Sequence, residues 1–178
     1  MLRDLIKEKH DEAENHRFVK LLFSGNISKE IYTEFLYNQY IIYTALEALA
    51  EKAELLQDIE EIKRSQKIAQ DLYELCGLEP QKIMPSTLAY VDYLTFDALT
   101  KENVMAHIYV RHMGDMFGGQ MIKKLIPGLG NMYNFENKSE LIQKVRDKLN
   151  DNMAEEANKV FDYAIGLFED IAREHNIS

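Results

Sequence analysis

His10 is the first residue of the chain whose chemistry could go beyond packing. Leu2, Ile6, His10, Ala13 or Glu14, and Arg17 fall three or four apart, the spacing that aligns side chains on one helical face, so the imidazole lies on a partly apolar stripe. An imidazole there can hold a metal ion through one ring nitrogen. Glu14, one turn later, can approach the other nitrogen directly or through water and fix the tautomer. The same spacing suits a surface histidine or one hydrogen-bonded within a core. A second concentration lies between Ala106 and Gln120 (AHIYVRHMGDMFGGQ), where Gly114, Asp115, Gly118 and Gly119 interrupt an apolar helical pattern. Glycine costs about 1 kcal/mol relative to alanine inside a helix, so several together predict one of two things. Either the backbone bends and approaches a flat partner closely, or two helices cross with their backbones touching.

Composition removes several classes of function. The net charge of -9 argues against a nucleic-acid partner, which calls for a concentrated excess of Lys and Arg. The single cysteine, Cys76, cannot close an internal disulfide or support a thiolate zinc set, which suits a reducing, cytoplasmic setting. A helical di-iron site built on Glu-x-x-His pairs is disfavoured, because no histidine has a glutamate three positions before it. The N-terminal residues carry charge every few positions, unlike a signal peptide, and the most apolar run, Tyr40 to Ala50, is too short to span a bilayer. A protein without a membrane partner is expected.

The elements that must position these residues read as helices nearly throughout, with no convincing strand. A first helix carries Leu2, Leu5, Ile6, Ala13, Phe18 and Leu21 or Leu22 and stops before Ser24-Gly25-Asn26. Ser28 can cap a second, from about Lys29 to about Leu56, with Glu30 placed for the macrodipole. A third, with Ile62, Ile68 and Leu72, ends at Gly77, the residue best able to take a left-handed cap. Pro80 and Pro85 bracket a connection, Ser86 can cap a short helix to about Ala98, and another from about Glu102 runs into the glycine cluster. After Pro127, Gly128 and Gly130, Ser139 starts a final helical region whose core is Leu149, Ala157, Val160, Phe161, Ala164, Leu167, Phe168 and Ile171. With no repeat or linker visible, one all-α domain over 1–178, a single helical bundle, is the simplest architecture.

Three segments resemble haem oxygenases in order and spacing: KEKHDEAEN from Lys7 to Asn15, YIIYTALE from Tyr40 to Glu47, and YVRHMGDMFGGQMIKK from Tyr109 to Lys124. The resemblance spans most of the chain and is most specific in the glycine-aspartate segment. It is nearest to the soluble bacterial, cyanobacterial and cyanophage type. It implies that haem b lies between a proximal N-terminal helix carrying His10, the iron ligand, and a bent distal helix carrying Gly114, Asp115, Gly118 and Gly119. The implied reaction is the cleavage of haem by O2 and a reductant to biliverdin, CO and ferrous iron. A noncatalytic haem-binding or haem-sensing protein could keep the same fold and His10.

The resemblance also implies roles for single residues. Asp115 would order water beside the bound oxygen, with Tyr43 and Arg111 in the same hydrogen-bond network. Taken alone, Tyr43 reads equally as an aromatic core residue and Arg111 as one half of a surface ion pair. Arg3, Lys7, Tyr109 and Arg146 match or lie near the family's propionate contacts, and Gln120 would support the bend. Two positions depart from the pattern. Ile142 stands where a lysine is expected, with Lys144 as the candidate replacement, and His112 stands where an aromatic residue or tyrosine is more usual. His107 reads as a satisfied buried histidine, His16 and His175 as surface residues. Ferredoxin would be the electron donor, docking near Lys123, Lys124, Arg3 and Lys7, and a bilin reductase could take the product.

Overall fold

The computed structural model describes residues 1–178, and every regular element in it is helical. The first of the three long helices, α4 (Lys29–Lys52), starts where the Ser28 hydroxyl accepts from the Ile31 amide at 3.2 Å, the expected cap. The second, α7 (Lys101–Lys123), starts in the same way, with Thr100 accepting from the Asn103 amide at 3.1 Å. The third, α9 (Ala154–Glu174), buries Ala157, Val160, Phe161, Ala164, Leu167 and Ile171, a stripe at three- and four-residue steps that commits one face to the core. α7 packs against both α4 and α9, so these helices form the frame.

The shorter helices close around that frame. α5 (Ser65–Cys76) lies on α4, and α6 (Pro85–Phe96) bridges α4 and α9. The connection into α6 is held by the buried Asn38, whose Oδ1 accepts from the Met84 amide at 2.8 Å and the Thr87 hydroxyl at 2.7 Å. α6 begins two residues earlier than expected, with Met84 and not Ser86 at the cap position. Pro85 takes the first helical position, where its fixed φ is preorganised, and the Ser86 amide is satisfied by Asp170 instead. Gly77 ends α5 at φ +64°, as expected.

The N-terminal region is not one helix. It divides into α1 (Leu2–Leu5), α2 (Lys7–Glu14) and α3 (Arg17–Leu22), because His16 becomes the cap of α3 and turns the chain there. Its Nδ1 accepts from the Phe18 amide at 3.1 Å while Nε2 meets Glu169 of α9 at 2.8 Å. His16 is therefore a half-buried tie and not a free surface residue. So is His175, which lies 2.9 Å from Glu34 of α4. α4 also ends earlier, at Lys52, and the final region divides into α8 (Lys138–Arg146) and α9 with a 3-10 turn between them.

Candidate functional site

The site begins with two polar stripes that meet between α4 and α7. Gln39, Tyr43 and Glu47 step by four along α4, so they share one face, and Arg111 and Asp115 do the same on α7 with His112 beside them. Each position finds a partner across the interface. Arg111 Nη1 donates to Gln39 Oε1 at 3.1 Å, the Tyr43 hydroxyl donates to Asp115 Oδ2, and His112 Nε2 lies 2.8 Å from Glu47 Oε2. Tyr43 also reaches the Arg111 carbonyl at 3.3 Å. Burial pushes the Asp115 carboxyl up to about 6, while the Tyr43 hydroxyl and the charges of His112, Arg64 and Arg111 pull the other way. Burial likewise holds the Tyr43 phenol well above its ordinary range, so it stays a donor. Arg111 is buried and lies 5.0 Å from the Tyr90 ring, which excludes the surface ion pair.

A second face of α7 is free of this packing. Gly114, Phe117 and Met121 are exposed, and a Cβ built on Gly114 meets nothing within 4 Å. This face looks toward the N-terminal helices. A Cβ on Gly118 would lie 4.0 Å from Phe23 at the end of α3, and Tyr109 feels the charges of Arg3 and Arg146. α2 and α7 both pack on α9 and hardly touch each other, which leaves the space between them over α9 as the candidate groove. His10 is exposed on α2, its ring edge-on to Phe161 of α9 with centroids 5.8 Å apart. Its Nε2 and Nδ1 lie 3.5 Å from Glu14 and Asp11, so either nitrogen can bind a metal while a carboxylate holds the other.

The glycines divide by role. Gly114 leaves the groove face open, whereas a Cβ on Gly119 would come within 2.6 Å of the Tyr133 ring. Neither expectation is met as stated: Gly119 makes a close approach, but to the Tyr133 ring of the 131–133 turn and not to another helix's backbone, and Gly114 faces open space. α7 runs through all three glycines as one uninterrupted helix, and Gln120 donates to the Tyr133 carbonyl at 2.9 Å, securing the same contact.

At one end of the groove Arg3 and Arg146 stand within electrostatic reach of Tyr109, and the Arg146 guanidinium lies 5.7 Å from the Phe117 ring. Lys7 is on the same stretch of chain but pairs with Asp11. Lys144 does not replace a lysine at 142. Its Nζ binds Glu140 at 2.9 Å and the Asp58 carbonyl at 3.1 Å, away from Arg146, and Ile142 packs against the core. His107 is the satisfied buried histidine expected, between the Tyr90 hydroxyl at 2.6 Å and Glu156 at 2.8 Å. The residues that sequence reasoning left unassigned are Gln39, Glu47, Tyr90 and Phe161. The four-residue step from Gln39 to Glu47 through Tyr43 was the available signal for two of them.

Fold and site together define an all-helical protein in which a histidine-bearing helix and a glycine- and aspartate-bearing helix pack on one central helix. Residues 1–170 match the family model described as Heme oxygenase. Heme oxygenase 2 of Rattus norvegicus is 30% identical over 202 residues, covering 96% of this chain and 64% of that protein. Heme oxygenase 1 of Synechocystis is 35% identical over 141 residues, covering 74% of this chain and 59% of that protein. The chain thus spans less than two thirds of the length of these curated relatives. Among solved structures, Synechocystis heme oxygenase-1 in complex with heme superposes with a TM-score of 0.84 at 27% identity, over 99% of this chain and 94% of that one. Heme oxygenase-2 of the same organism, in complex with heme and NO, gives 0.86 at 26% identity over 99% and 88%. The chain belongs to the Heme oxygenase family.

Proposed function

We propose that this protein binds haem b in the groove between α2 and α7 and catalyses its oxidative cleavage to biliverdin, CO and ferrous iron. What supports the reading is that α2, carrying His10 backed by Glu14, and α7, with open space at Gly114 and Asp115 just behind, pack on the same helix α9. The residues fit the group. His10 would hold the iron, Arg3, Tyr109 and Arg146 would meet the two propionates, and Phe161 would floor the ring. Lys7 is a further cation at that end once released from Asp11.

Haem, when bound, supplies the redox centre at which O2 is activated, and it is also the substrate. The chain's own part is geometric and protonic. Glu14 would fix the tautomer and orientation in which the His10 imidazole holds the iron. Gly114 and Gly118 would keep the wall on the α7 side low, leaving room for a flat ligand. Asp115, with its raised proton affinity and the Tyr43 donor beside it, is suited to hold and exchange a proton through ordered water near neutrality. Arg111, anchored by Gln39, keeps Tyr43 and Asp115 in register through its carbonyl.

Electrons must come from outside, since a single cysteine cannot build an iron–sulfur centre in the chain. Ferredoxin is the donor proposed, in the reducing cytoplasm, with a bilin reductase downstream. No helix is long and apolar enough to cross a membrane. The test is aerobic incubation with haem and a reductant. Loss of the Soret band with formation of a green, chromatographically identified biliverdin is expected. A stable Soret band through many equivalents of reductant would make the protein a haem carrier and overturn the proposal.

A further inference from the structure

His112 is a fully buried titratable group with no part in the groove chemistry so far described. Its ring lies edge-on to Tyr43, with centroids 4.8 Å apart, and its Nε2 lies 2.8 Å from Glu47 Oε2. Glu47 also accepts from the backbone amides of Arg64 at 2.6 Å and Ser65 at 3.0 Å. Burial alone would push the Glu47 carboxyl up. The His112 bond and the two backbone donors outweigh that and hold it below its ordinary value, so Glu47 is an anion. An anion accepts hydrogen bonds and cannot give them, which assigns the proton to His112 Nε2. The other nitrogen, Nδ1, is then an acceptor in the neutral ring and a donor in the charged one.

Nδ1 has no hydrogen-bond partner although it is buried. Leaving such an atom unpaired costs about 1–3 kcal/mol, which a purely structural aromatic at this position would avoid. Glu47 in turn borders a cleft of about 440 Å³ on the side of α4 where Thr44, Glu51, Glu60 and Lys63 lie, a face distinct from the groove between α2 and α7.

We propose that the Glu47–His112 pair is a positioning device for Asp115: it holds the Tyr43 ring in place and, through the imidazole beside the carboxylate, sets how tightly Asp115 holds its own proton. The proposal rests on the reading of Asp115 as the proton-handling group. The groups facing that carboxylate are Tyr43, Glu47 and Tyr32 from α4, Arg64 ahead of α5, Arg111 and His112 on α7, and Tyr133 from the 131–133 turn. Three of these are cations. The two arginines do not deprotonate in proteins, and the third is the imidazole of His112, which Glu47 holds. A charge there favours ionised Asp115, and its loss favours the protonated acid.

The test is a carbon-13 NMR titration of the Asp115 carboxyl in haem-free protein, alongside the pH profile of haem turnover. His112→Gln keeps an amide donor for Glu47 and cannot take up a proton. It should raise the Asp115 midpoint by about half a unit to one unit. The turnover profile should move in the same direction. His112→Phe should give the same shift together with lower stability, since it leaves Glu47 short of a donor; if it fails to fold, His112→Gln still decides. An Asp115 titration in His112→Gln that overlays the wild type overturns the proposal. Failure of the haem-cleavage reading would appear separately, as a wild type that makes no biliverdin while its haem-free titration is unaffected.

Discussion

Replacing Gly114 by alanine should stabilise the haem-free protein and weaken its hold on haem. The position is helical with ordinary backbone angles, and an added Cβ meets nothing within 4 Å, so no neighbour must give way. The change removes the entropic cost of glycine in a helix interior, a gain of about 0.5–1 kcal/mol. For a domain of this size that is a rise in Tm of about 1–4 °C. The same methyl group projects into the groove opposite His10. If it lowers haem affinity tenfold, the stabilisation that haem confers falls by about 1.4 kcal/mol, or about 3–6 °C. The sign of the effect should therefore reverse between scanning calorimetry of the haem-free and haem-loaded proteins. Gly119→Ala is the control. Its Cβ would sit 2.6 Å from the Tyr133 ring, and the overpacking, about 1–3 kcal/mol, exceeds the helix gain, so the haem-free protein should melt lower. A lower Tm for haem-free Gly114→Ala would refute the open face, and a higher Tm with unchanged haem affinity and product would remove Gly114 from the haem site.

Three further outcomes follow from the same geometry. His10→Ala should change the ferric haem spectrum and abolish turnover, with partial recovery on adding imidazole; a wild-type spectrum and rate would exclude His10 as the ligand. Arg146→Glu sets a carboxylate against a propionate and should weaken haem binding by about 10- to 100-fold, as expected for losing a charged hydrogen bond, which a haem titration would measure. Asp115 titrates near 6 in the folded chain and near 4 when unfolded, so the folded state retains the proton longer and stability falls as pH rises from about 4 to 6. Asp115→Asn removes that loss. It should be more stable than the wild type at pH 7 by up to about 3 kcal/mol and no more stable at pH 3.5, while Asp115→Ala should bind haem and lose most biliverdin formation. Denaturant curves at the two pH values decide the first point, and equal gains at both would show that the carboxyl is not perturbed by burial.

Much of the architecture was legible locally. The Ser28 cap, the left-handed Gly77 and the periodic stripe of α9 depend on residues within a turn or two of each other, where propensity and capping act directly. The division of the N-terminal region was not legible, because it turns on His16 finding Glu169, 153 residues away. The same limit applies to the site. Sequence periodicity determined that Gln39, Tyr43 and Glu47 share one face of their helix, that Arg111 and Asp115 share one face of another, and that His10 and Glu14 are neighbours. It could not determine that these two stripes meet, since Tyr43 and Asp115 are 72 residues apart and a helix carries no record of which neighbour it will pack against. The distinction between Gly114 and Gly119 was likewise settled only in three dimensions, because two glycines with the same local conformation differ in what stands opposite them: open groove for one, the Tyr133 ring for the other. Local periodicity sets which side chains share a face, and the packing of the whole chain sets what each face meets.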